Sequence, residues 1–156
     1  RITMKNTLFA LALVLFISCD NEKKTEEDID YVAKNEADIQ AYVEENNLTA
    51  VRSNSGLYYV IEEEGTGTQA VANSNVTVAY KGYFLNGAVF DQSDAEGITI
   101  GLNQVIAGWT EGIAYFKEGG SGILLVPAHL GYGSRDYNGI PGGSVLVFEV
   151  TLISVN

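Results

Sequence analysis

The chain has 156 residues, 46% hydrophobic and 19% charged, a folded-globular composition that excludes a disordered or fibrous chain. Nine Lys and Arg stand against 20 Asp and Glu, a net charge of −11, and no basic cluster exists to hold a polyanion, so nucleic acid is not an expected partner. One cysteine and one histidine exclude an intramolecular disulfide, a cysteine-rich zinc site and a histidine metal cluster, and they leave little for nucleophile–base chemistry.

The chain opens with Lys5, a ten-residue apolar run from Leu8 to Ile17, and Ser18-Cys19. A membrane span needs about 20 apolar residues. A short apolar run behind a positive charge and before a small residue is instead the pattern of a signal peptide, here residues 1–18. Met4 reads as the start, with residues 1–3 upstream of it. Leu15-Phe16-Ile17-Ser18-Cys19 resembles a bacterial lipoprotein signal, although Phe16 and Ile17 depart from its tightest form. That resemblance implies cleavage before Cys19 and a lipid on its sulfur. The chain would then be anchored to a membrane of the bacterial cell envelope, outside the cytoplasm. The alternative is a plain secretory signal with an incidental cysteine.

Residues 19–50 read as an anchor cysteine, a tether and an acidic helix. All 17 glycines lie beyond residue 55, which marks a boundary near residue 51. Thr25-Glu26-Glu27-Asp28 has the form of a capping box, and Ile29, Val32, Ile39, Tyr42 and Val43 follow at helical spacing up to Asn46-Asn47. The stripe is expected to rest on the chain's own domain, the other choice being a dimerising or spacer helix.

From residue 56 the period is two. Strands are predicted at 56–61, 75–85, 88–91, 98–100, 122–126 and 145–153. Asn86-Gly87 predicts a two-residue type I′ hairpin turn. Trp109 to Phe116 is the one helical candidate, ended by Gly119-Gly120. Mostly antiparallel strands around one short helix give an α+β class.

Aromatics are spread over these elements: Tyr80, Phe90, Trp109, Tyr132 and Phe148, each in its own segment. Their surroundings are Val78-Ala79-Tyr80-Lys81-Gly82, Gly87-Ala88-Val89-Phe90-Asp91, Gln104-Val105-Ile106-Ala107-Gly108-Trp109-Thr110-Glu111-Gly112, Val126-Pro127-Ala128-His129-Leu130-Gly131-Tyr132-Gly133 and the stretch from Ile140 to Val150. In these five motifs, over about residues 55–155, the chain resembles the FKBP family of peptidyl-prolyl cis-trans isomerases.

The resemblance implies an antiparallel sheet of five or six strands curled around one short helix, with a pocket between them, over residues 51–156. It implies that Trp109 is the pocket floor and that Tyr80, Phe90 and Phe148 are its walls. Val105 and Ile106 would form the rim, with the Ile106 N–H and the Tyr132 hydroxyl bonding substrate carbonyls. Asp91 would stand at the edge, Ile140 would come from a covering loop, and Ile98 would take the place of a larger family side chain. The implied function is rotation about X–Pro bonds in polypeptides folding outside the cytoplasm, with no cofactor and no metal. Proline-containing polypeptides are the implied partners, and a macrolide such as tacrolimus an implied ligand. The alternative is a non-catalytic chaperone-like or scaffold module. The acidic stretch 92–97 is expected to disfavour acidic residues beside the substrate proline.

Overall fold

The computed structural model describes residues 29–156. The signal segment, Cys19 and the capping box at Thr25–Asp28 lie outside the described residues. Among the described residues no helix is long and apolar enough to cross a membrane.

The acidic segment forms helix α1, Tyr31–Glu45. Asp30 caps it, its side chain accepting from the Val32 and Ala33 N–H groups at 3.0 and 3.2 Å, which satisfies donors the first turn leaves free. The helix ends at Asn46, whose side-chain amide donates to the Tyr42 carbonyl, and Asn47 takes a positive φ of 51°. The stripe is shorter than the spacing predicts. Ile29 and Val32 are 58% and 57% exposed, because the first turn of the helix meets the rest of the fold through Tyr31, over Gly143, and the apolar stripe packs only from Ile39 onward, with Tyr42 and Val43. Burying Ile39 completely contributes about 1.5–3 kcal/mol.

Seven strands form one antiparallel sheet: β1 Val51–Arg52, β2 Tyr58–Glu63, β3 Asn75–Phe84, β4 Val89–Gln92, β5 Ile98–Gly101, β6 Ser121–Val126 and β7 Leu146–Val155. The order is β1-β2-β6-β7-β3, with two short strands sharing the outer edge of β3. β5 pairs with Asn75–Val78 and β4 with Lys81–Tyr83. Between them Ser93 bridges to β3, its N–H donating to the Tyr80 carbonyl and its hydroxyl accepting from the Tyr80 N–H, both at 3.0 Å. The seventh strand relative to the expected five or six is the two-residue β1, too short to leave a periodic signal.

Each face of the sheet carries a helix. Leu124 and Val126 of β6, and Leu146, Phe148, Val150 and Leu152 of β7, pack toward α2, Ala107–Gly112. Ile123, Leu125 and Val147 pack toward α1. This is why Ile123–Val126 is apolar without alternation: the strand is covered on both sides. The α2 helix starts two residues before the predicted Trp109 and gives way to a 3-10 turn at Ile113–Tyr115. Gly108 and Gly112, four apart, face β6. A Cβ at these positions would come within 2.5 Å of Val126 and 2.7 Å of Leu124, so bare backbone is what lets α2 approach the strand.

The Asn86-Gly87 turn is not type I′. Asn86 keeps negative φ, Gly87 alone is left-handed at +84°, and the Gly87 N–H donates to the Phe84 carbonyl while the Phe84 N–H donates to Ala88. This is a three-residue loop with a bulge, and the Asn86 side chain stabilises it by accepting from the Ala88 N–H at 3.0 Å. The two-residue Asn-Gly turn occurs instead at Asn138-Gly139, where both φ are positive, 45° and 84°, and Tyr137 and Ile140 exchange backbone bonds.

Candidate functional site

Between α2 and the sheet lies an open cavity of about 450 Å³. Tyr80 comes from β3, Phe90 and Asp91 from β4, Ile98 and Ile100 from β5, and Phe148 from β7. Gln104, Val105 and Ile106 come from the link into α2, Trp109 from its first turn, and Tyr132 and Tyr137 from the loop before β7. Nine of the ten pocket residues expected from sequence therefore line one hollow. Ile140 is the exception: it is buried in the core and lines an adjoining cavity of about 490 Å³ with Phe84, Val89 and the two loop tyrosines.

The rings meet edge to face. Trp109 is perpendicular to Tyr80 (5.0 Å, 87°) and to Phe148 (5.3 Å, 82°), and Phe90 is perpendicular to Phe148 (5.6 Å, 90°). Positive ring edges against negative ring faces hold such pairs about 0.5–1.5 kcal/mol better than burial alone. Trp109 and Phe148 are each only 4% exposed. The Trp109 indole N–H is buried with no acceptor, the sole such side-chain atom among the described residues.

Gly82 carries weight here that sequence reasoning did not assign to it. A Cβ on it would stand 2.7 Å from the Phe90 ring and 2.9 Å from the Phe148 ring. Its bare backbone is what lets those two walls close. The signal was available, since a glycine inside a strand marks close approach. Ile100, Gln104 and Tyr137 were also missed. Ile100 follows from Ile98 by the period of two along β5. Gln104 and Tyr137 sit in irregular segments without period.

The polar groups are few. The Tyr80 hydroxyl donates to Asp91 Oδ2 at 2.7 Å. Burial, and then the bond to the Asp91 carboxylate, push the Tyr80 pKa up to about 12, so the hydroxyl stays protonated and holds Asp91 in place. Tyr132 stacks on Tyr137 (4.9 Å, 11°), and burial raises its pKa as well. Among the described residues the Ile106 N–H donates to no acceptor. Thr110 fixes that link by donating to the Leu102 carbonyl at 2.5 Å. His129 turns away, bonding the Ser55 carbonyl at 2.8 Å. The acidic stretch also faces elsewhere. Ser93, Asp94 and Ala95 line a separate groove, so among the described residues Asp91 is the only carboxylate on the cavity, and the expected charge preference reduces to that residue.

A raised tyrosine pKa has a defined sign. Tyr80 favours the folded state fully below its ordinary value of about 10, and this contribution is lost as pH rises through 12. The stability advantage of the wild type over Tyr80→Phe, about 1 kcal/mol at neutral pH for one partly exposed hydrogen bond, should therefore stay constant to pH 10. It should then shrink toward pH 12. Denaturant midpoints of the two chains across that range check it, and an advantage that grows above pH 10 would contradict it.

Residues 66–153 match the family described as FKBP-type peptidyl-prolyl cis-trans isomerase. The chain is 43% identical over 107 residues to the FKBP-type peptidyl-prolyl cis-trans isomerase FkpA of Buchnera aphidicola, covering 67% of this chain and 42% of the relative. It superposes on the crystal structure of FkpA from Escherichia coli with a TM-score of 0.72 at 36% identity, over 80% of this chain and 61% of the other. A peptidyl-prolyl cis-trans isomerase from Pseudomonas syringae gives a TM-score of 0.70 at 29% identity, over 83% and 98%. The chain spans about half the length, or less, of the FkpA relatives it matches. The matched segment is more than half of the chain and holds every residue that lines the ring-walled cavity; the chain belongs to the FKBP-type peptidyl-prolyl cis-trans isomerase family.

Proposed function

We propose that the cavity takes the proline ring of a polypeptide and accelerates rotation about the preceding peptide bond. The observation that carries this reading is the convergence of Tyr80, Phe90, Trp109 and Phe148 on one open apolar hollow. Rotation must overcome a barrier of about 18–20 kcal/mol set by amide resonance, and no bond to another atom is made or broken. A site for it needs no nucleophile. The twisted amide has less charge separation than the planar one, so moving it from water into an apolar hollow favours the transition state.

Positioning supplies the rest. The proline packs on the Trp109 indole between the Tyr80, Phe90 and Phe148 rings. The free Ile106 N–H and the Tyr132 hydroxyl bond carbonyls of the flanking chain, so one side of the amide is held while the other turns. Asp91, oriented by Tyr80, faces the turning carbonyl from the edge. Ile98 and Ile140 bound the flanking residues, Ile140 from the adjoining cavity.

The chain is further proposed to be a bacterial envelope lipoprotein. Residues 1–18 would be its signal peptide, 19–50 an acylated Cys19, tether and helix, and 51–156 the isomerase unit. The apolar run ending at Cys19 supports this. Its clients would be proline-containing polypeptides outside the cytoplasm, with a tacrolimus-type macrolide as a competing ligand of the same hollow.

A protease-free isomerisation assay on a proline tetrapeptide tests the activity. The chain should shorten the relaxation of the cis form from tens of seconds, and the macrolide should slow it again. Traces that overlay the blank would remove the isomerase reading. Peptide binding without acceleration would select the non-catalytic module.

A further inference from the structure

One side chain from outside the family-matched segment grips both ends of the loop that covers the cavity. Asn35 of α1 is 1% exposed, the buried polar residue of the described core. Its Nδ2 donates to the Gly143 carbonyl at 2.9 Å, and its Oδ1 accepts from the Ala128 N–H at 2.8 Å. Ala128 and Gly143 bracket the stretch that carries Tyr132, Tyr137 and Ile140. One turn earlier in α1, Tyr31 lies so close over Gly143 that a Cβ there would overlap its ring.

Inside the bracket the loop's hydrogen bonds are mainly to itself, and the buried Ile140 side chain is its apolar tie to the core. The Gly133 N–H donates to Ala128, the Gly143 N–H to Gly133 and the Gly142 N–H to the Asp136 carboxylate, each at 2.8 Å. These bonds shape the loop but do not anchor it. The Asn35 amide uses its donor and its acceptor at once, away from water, where leaving either backbone group unpaired is costly.

We propose that Asn35 is a positioning residue for substrate binding: by clamping Ala128 and Gly143 it presets Tyr132 and Tyr137 over the cavity, so that α1 tunes how tightly the site takes its peptide. This rests on the isomerase reading above. A loop released at both ends can still reach the bound arrangement, but ordering it then draws on binding free energy. That loss falls equally on the ground and transition states, so KM rises while kcat holds.

The test uses the full chain, a proline tetrapeptide and hydrogen exchange. Asn35→Ala should raise KM by about five- to tenfold with kcat within about twofold of wild type. It should also speed exchange at Gly133 and Tyr137 without changing exchange across β6 and β7. A merely structural role would instead lower the folded fraction, dropping apparent kcat at unchanged KM, and that result overturns the proposal. An unchanged KM in a folded variant does the same. Should the variant not fold, the wild type still decides. Its Ala128 amide should exchange as slowly as the amides around Ile39 in α1, and exchange as fast as at the Gly139 tip would refute the clamp. A wild type without turnover fails the isomerase reading itself, whereas turnover with an unmoved KM fails this proposal alone.

Discussion

Trp109→Leu should lower kcat/KM by roughly 30- to 100-fold, about 2–3 kcal/mol of lost substrate contact, at a smaller cost in stability. The two readouts separate because of how the indole sits. It is almost wholly buried, yet its N–H has no acceptor, a situation that costs a protein about 1–3 kcal/mol. Leucine keeps an apolar group at the start of α2 and removes that orphan donor, which offsets part of the lost packing. What it cannot supply is the flat floor proposed for the proline ring. Steady-state kinetics beside thermal denaturation checks the pair of expectations. A variant that keeps its turnover, or that loses turnover only in proportion to stability, would mean Trp109 serves the core rather than the substrate.

Phe148→Ala should do the opposite and unseat the fold. Phe148 stands on β7, paired on both sides, and its ring meets Tyr80, Phe90 and Trp109 at 6.4, 5.6 and 5.3 Å. Truncating a phenylalanine at such a place costs about 3–5 kcal/mol in lost transfer and cavity terms. For a chain of this size the melting temperature should fall by about 10–20 °C. Calorimetry or circular dichroism measures it. A drop below about 5 °C would show that the rings around Phe148 collapse into the space and that the walls of the hollow are not rigid.

What was legible beforehand follows from periodicity and chemistry of different reach. The long strands β3 and β7 were readable because only an extended backbone turns alternate side chains to opposite faces over ten residues, and the rings on them were brought together by register alone. Asn35 was not readable. An asparagine in an acidic helix looks like one more solvated residue, and only the fold reveals that it faces two backbone groups some hundred positions away. Ile29 and Val32 share the helical spacing of Ile39, but periodicity says which side a residue takes, not how far the sheet beneath extends. The two Asn-Gly pairs make the same point. At 86–87 the pull of β3 and β4 favours a three-residue loop, and at 138–139 an isolated pair of bridging residues accepts the tighter turn. The free Ile106 N–H belongs to the backbone and has no side-chain signature at all.

Composition divides the chain near residue 51, but solubility does not. The face of the sheet turned away from the hollow presents Ile123, Leu125 and Val147, with Val145 just before β7 beside them, and α1 is what covers them. A shortened chain beginning at Val51 would keep every ring of the pocket and lay that contiguous oily patch open to water, inviting self-association. The glycine-free prelude thus acts as a lid on stickiness, and the smallest well-behaved fragment begins ahead of Asp30.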